Sequence, residues 1–124
     1  FEAACTALPI IAPNWSGHVD FLNHDVEDKK GKIKKKGLFS KVDFDLAAVQ
    51  KSSIWNGVIE ADHRWCYPKK MSYRQKMREV YKNYDLKKSI AKKLQSKVLE
   101  EYESEKMHDL FLQTSQKQYN PSKK

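Results

Sequence analysis

The sequence predicts an α/β fold, and three observations carry that expectation. The run Leu8-Pro9-Ile10-Ile11-Ala12 is short, apolar and without alternation, as in a strand covered on both faces of a parallel sheet. Just before it, Glu2-Ala3-Ala4-Cys5 has the small residues of a helix packed closely on that sheet. From Ser72 onward, apolar residues recur at helical spacing. Helix, tight connection and strand make half of a repeating α/β unit. The 124 residues suit one domain or part of one. We divide them into an α/β part (1–68), closing helices (69–115) and a flexible tail (116–124).

After the first strand, Pro13-Asn14-Trp15-Ser16-Gly17 reads as a loop at its carboxyl end. Ligands of open α/β sheets bind at such ends, which makes Asn14, Trp15, Ser16 and Gly17 candidate lining residues. A connector that contacts no ligand is the competing reading. His18–Leu22 suits a helical turn. Asn23–Gly37 is polar, with lysines at 29, 30, 32, 34, 35 and 36. Val42, Phe44 and Leu46 alternate with Asp43 and Asp45, as in a strand with one wet face. Ile33 and Lys34–Lys36 are expected to pair with that strand, turning at Gly37, as an inserted basic β-hairpin. Ser53–Glu60 fits more than one structure, and Trp65-Cys66-Tyr67-Pro68 ends the section.

Three helices are expected to close the chain. Ser72 and Gln75 form an S-x-x-Q capping box, with Met77, Val80, Tyr81 and Tyr84 on the core face. Asp85 is positioned to cap a second helix, whose stripe is Ile90, Leu94, Val98 and Tyr102. Ser104 is positioned to cap a third, with Met107, Leu110 and Phe111 inward. The tail from Gln116 is expected to fray.

The formal net charge is +8, which suits a polyanion, a membrane surface or an anionic small ligand. Lys29–Lys36 is expected to be exposed, because burying unpaired ammonium groups is prohibitive. Cys5 and Cys66 form neither a disulfide framework nor a zinc motif, so a reduced, cytoplasmic setting is the default. No apolar run approaches the ~20 residues that span a bilayer. His18, Asp20, His24 and Asp25 lack the spacing of a helical ligand pair, and no metal is expected.

The stretch EAACTALPIIAPNWSGHVDFL resembles the block E-A-M-A-C-G-x-P-V-I-A-x-x-x-G-G-x-x-E-(I/L)-(V/L) of GT-B glycosyltransferases of the family-four type. Glu2 and Ala3 fall on its E-A, and Pro9 to Ala12 fall on P-V-I-A. Ser16-Gly17 falls on the glycine pair, and Asp20 on the acidic residue. KVDFDLAAV is similar to the LVDYELVPV of some members, RWCYP to their RWAEP, and the closing helices to their closing pattern. The resemblance implies a partial Rossmann-like C-terminal domain of a GT-B enzyme. It also implies that Glu2, the second glutamate of a paired motif, accepts hydrogen bonds from the donor's ribose hydroxyls. The first glutamate of that motif, the diphosphate-neutralising residues and the acceptor-binding domain are not in this chain. The chain alone is therefore expected to be inactive. Ala7 stands where the family has glycine, so the turn there is expected to avoid positive φ. Ser16 replaces the first glycine of the pair.

The function expected from the resemblance is glycosyl transfer from a nucleotide-sugar to an acceptor. Its donor-binding residues would be Glu2, Asn14, Trp15, Ser16 and Gly17. No catalytic residue is assigned, and no cofactor is expected beyond the nucleotide-sugar substrate. Two alternatives stay open, a small basic nucleic-acid-binding module and an interaction domain without activity.

Overall fold

The computed structural model describes residues 1–118, the last three by backbone alone. In chain order the elements are α1 (Glu2–Cys5), β1 (Ile11–Pro13), α2 (Val19–Leu22), β2 (Asn23–Glu27), β3 (Ile33–Gly37), β4 (Ser40–Val42), β5 (Phe44–Ala48), a 3-10 turn (Lys51–Ser53), β6 (Arg64–Pro68), α3 (Lys70–Lys82), α4 (Tyr84–Glu101) and α5 (Ser104–Gln118). The fold is mixed α/β, with three two-stranded sheets among the described residues. One is the parallel pair β1–β4, in which Ile11 faces Ser40 and Pro13 faces Val42. The others are the antiparallel pairs β2–β3 and β5–β6.

The core forms where α1, α2 and the start of β4 meet α4. Ala4, Leu22, Leu38, Leu94 and Val98 are buried together, with Ile10, Val26, Phe39, Ile90 and Tyr102 packed around them. The expected stripe of α4 is therefore its core face. The small side chain of Ala4, fully buried, lets α1 lie close on α4. The C-terminal carbonyls of a helix lack partners within the helix. Here Gln95 Nε2 donates to Cys5 O at 2.7 Å and Lys88 Nζ to Ala7 O at 2.7 Å.

The β pairing differs from expectation. Lys34–Lys36 does lie in a basic hairpin, but its partner is Asn23–Glu27 and its turn is Asp28–Lys32. Asp28 Oδ1 accepts from the N–H groups of Lys30 and Lys32, and Gly31 takes φ 76°. That turn closes the hairpin before Gly37, which sits instead against Lys41, Phe39 and Asn23. The alternating Val42–Leu46 run is two strands, not one. At Asp43 the chain leaves β1 for β6, where the Asp43 N–H donates to Ser72 Oγ and Asp43 O accepts from Lys69 N. The first strand is also shorter and later than Leu8–Ala12, because Ala7 and Leu8 complete the end of α1.

Helix starts shift as well. Lys69 precedes α3, and Ser72 lies inside it with its hydroxyl committed to Asp43, so no Ser72 cap forms. Asn83 precedes α4, and Asp85 falls in the first turn without capping. Tyr81 and Tyr84, expected in the core, are 85% and 48% exposed. Met77, Leu110 and Phe111 are exposed too, because no described element covers those faces of α3 and α5. The helix α5 runs on to Gln118, past the expected start of the tail; the rest of the tail lies outside the described residues.

Candidate functional site

The site begins with how α1 ends. Ala7 N donates to Ala4 O at 3.1 Å and Leu8 N to Ala3 O at 2.9 Å. This pair of bonds is a Schellman motif, which needs a left-handed residue at the first position past the cap. Ala7 is that residue, at φ 54°, so the expectation of negative φ there is overturned. The two hydrogen bonds and burial of the Ala7 methyl outweigh the left-handed strain of roughly 1–2 kcal/mol. The reversal then feeds the chain into β1.

The loop after β1 is held by side chains. His18 Nε2 donates to Pro13 O at 2.7 Å. Asn23 Nδ2 donates to Asn14 Oδ1 at 3.1 Å and to Val19 O at 2.9 Å. Ser16 also takes a left-handed backbone, φ 73°, so that its carbonyl accepts from Val19 N and begins α2. Ala7 and Ser16 are the two non-glycine residues with positive φ among the described residues. Beside the loop, where β1 and β4 end, an open cavity of about 290 Å³ is lined by Ala12, Pro13, Val42, Pro68 and Tyr73. Sequence reasoning missed this cavity, since Pro68 and Tyr73 lie far from β1 along the chain.

The expected site residues are brought only partly together. Asn14, Trp15, Ser16 and Gly17 form one loop at the carboxyl end of a parallel strand. Trp15 is half-buried, while Asn14, Ser16 and Gly17 are exposed. The Phe1 ring packs edge-on against Phe21 of α2 and against Tyr102, both at 5.5 Å, which brings the start of α1 to the element that follows the loop. The Glu2 side chain is 97% exposed, and its ion-pair partner among the described residues is the Phe1 amino group at 3.5 Å. A hydrogen bond from its own backbone N–H holds its carboxyl below the usual glutamate range. The Glu2 carboxylate thus lies exposed at the start of α1, with part of its acceptor capacity used by its own helix end.

Lys29–Lys36 is exposed throughout, as expected, on the turn and outer strand of the β2–β3 hairpin. Lys34 pairs with Asp28 at 3.5 Å. His24, on the inner face, is 3% exposed, with Nε2 2.9 Å from Phe21 O and Nδ1 3.1 Å from Glu101 Oε1. It is a buried tie between β2 and α4. Among the described residues, no cluster of His, Cys, Asp and Glu could hold a metal ion. Both cysteines are free thiols, and burial pushes the Cys66 thiol up. No described helix is long and apolar enough to cross a membrane.

Fold and site together define a small mixed α/β domain with a structured loop at the carboxyl edge of a parallel strand pair. No protein-family model, no curated protein and no solved structure matches the chain.

Proposed function

We propose that this chain is the donor-side part of a GT-B glycosyltransferase, a Rossmann-like segment that binds a nucleotide-sugar. One observation carries the reading most. The two non-glycine residues with left-handed backbone, Ala7 and Ser16, are those standing where the resembled block has glycine. A backbone that keeps a glycine conformation after losing the glycine retains the helix–turn–strand–loop path of that block. Two further features support it. Asn14–Gly17 lies at the carboxyl end of a parallel strand, the kind of place where ligands of α/β sheets bind, and the exposed Glu2 carboxylate keeps lone pairs that ribose hydroxyls could use. In this reading Glu2 binds ribose by accepting hydrogen bonds and moves no proton. Catalysis rests on positioning and on stabilising the departing diphosphate.

The test is calorimetric titration of the enzyme with UDP-, GDP- and ADP-glucose. One of them should bind, and Glu2→Ala should weaken it roughly ten- to a hundred-fold, the worth of a charge-assisted hydrogen bond. Unchanged donor affinity in Glu2→Ala overturns the ribose assignment.

A second reading is favoured by the exposed lysine ribbon, in which Lys34 alone of the six has a carboxylate partner among the described residues. It is polyanion binding through Lys29–Lys36. Affinity for duplex DNA should then fall steeply with salt. Binding that ignores salt excludes it.

A further inference from the structure

Between the β2–β3 hairpin and α4 lie two adjoining cavities, of about 220 Å³ and about 570 Å³. They meet at Val26, Leu38 and Lys93, which line both. The wider one alone falls within the ~300–1,000 Å³ of small-molecule sites. Their charges differ. The narrow cavity is floored by Ile10, Phe39 and Ile90 and edged by Lys36, Lys87 and Lys93, with no carboxylate in its lining. Lys87 is committed to Glu79, at 2.5 Å. Lys36 and Lys93 have no carboxylate partner among the described residues, so two ammonium groups flank an apolar pocket. The wider cavity continues the apolar floor to Ile33, which is 67% exposed, and is lined by three carboxylates, Asp25, Glu27 and Glu100, beside two lysines, Lys93 and Lys97.

We infer that this groove binds a single-chain anionic amphiphile, a phosphate or carboxylate head carrying an alkyl tail. The head lies between Lys36 and Lys93 in the narrow cavity, and the tail runs over Leu38 and Val26 toward Ile33. At the wide end three carboxylates outnumber Lys93 and Lys97, whereas no carboxylate competes for the head in the narrow cavity, and this difference sets the direction. Apolar surface alone would accept any hydrophobic molecule, whereas the one-sided charge selects an anionic head. The inference stands apart from the glycosyl-transfer reading and uses none of its residues.

The probe is decyl phosphate below its micelle concentration, titrated by calorimetry beside inorganic phosphate, decylamine and phosphatidylglycerol vesicles. Decyl phosphate should bind, and decylamine should not. Inorganic phosphate should bind at least about ten-fold more weakly, since it leaves the apolar floor unused. Lys36→Glu with Lys93→Glu should weaken decyl phosphate at least about ten-fold, while Lys29→Glu with Lys30→Glu at the hairpin tip should change it less than about two-fold. Ile33→Ser, at an exposed position that the fold tolerates, should weaken it as well. Circular dichroism checks that each variant is folded. Absence of decyl phosphate binding, equal affinity for inorganic phosphate, or indifference to Lys36 and Lys93 each overturns the inference. So does attachment to vesicles alone, governed by Lys29 and Lys30.

Discussion

Ser16 holds a left-handed backbone on an exposed loop, with no hydrogen bond from its side chain among the described residues. Such a conformation costs a non-glycine residue roughly 1–2 kcal/mol, and glycine's greater freedom in the unfolded chain returns about 0.4–1. Ser16→Gly should therefore stabilise the fold by roughly 0.5–1 kcal/mol in urea unfolding. Ala7→Gly should be close to neutral, although its φ is similar. The Ala7 methyl is buried, and losing it forfeits about 0.8 kcal/mol. A larger gain at Ala7 than at Ser16 would contradict this account. Leu94, with 0% exposure at the centre of the α4 stripe, should cost about 2–5 kcal/mol as Leu94→Ala in the same measurement. The Leu94 role was legible, because its neighbours recur at helical spacing. The backbone of Ala7 was not. A residue's own preference argues against positive φ, and only the paired bonds to Ala3 and Ala4 reverse that preference.

At the scale of elements, α3 is tied to α4 by one carboxylate. Glu79 accepts from Lys87 of α4 at 2.5 Å and from Lys76 of its own helix at 3.1 Å. These two ammonium groups hold the Glu79 carboxyl below the usual glutamate range. A carboxyl depressed in the folded state contributes stability above its unfolded value and loses it as pH falls through the folded one. Glu79→Gln should lower the melting temperature at neutral pH, and its difference from wild type should shrink as the pH falls below the usual glutamate range. A difference that persists at low pH would show that Glu79 acts by packing. Helix existence was legible throughout this region from periodicity. Which faces are covered was not, as exposed Tyr81 and Phe111 show: a stripe records apolar spacing and says nothing of what lies against it. The strands were harder for a related reason. Val42, Phe44 and Leu46 alternate as one strand would, yet Asp43 diverts the chain because Ser72, far along the sequence, supplies a partner for its N–H. The Lys34–Lys36 strand could turn at either end, and the Asp28 side chain decides it locally. The loop Asn14–Gly17 was legible as the end of a strand, while the cavity beside it needed β4 and α3.

Among the described residues, large apolar side chains of α3 and α5 stand exposed, Met71, Met77 and Tyr81 on one and Leu110 and Phe111 on the other. Less surface is therefore released on unfolding, and the urea m-value should be lower than that of a compact chain of this length. An m-value at or above the compact expectation would mean that the apolar faces of α3 and α5 are covered in solution. The division into three separate sheets has a further consequence. The pair β5–β6 bonds mainly within itself and joins the rest around Asp43, through Ser72 and Lys69. Stability need not be uniform when so few bonds cross a boundary. Residues 44–68 should open as a cooperative unit while α4 stays closed. In deuterated water the amides of Leu46 and Cys66 should exchange together, well before those of Leu94 and Val98. The Ser72 hydroxyl is then a latch, and Ser72→Ala should speed exchange in residues 44–68 and leave the slow amides of α4 nearly untouched.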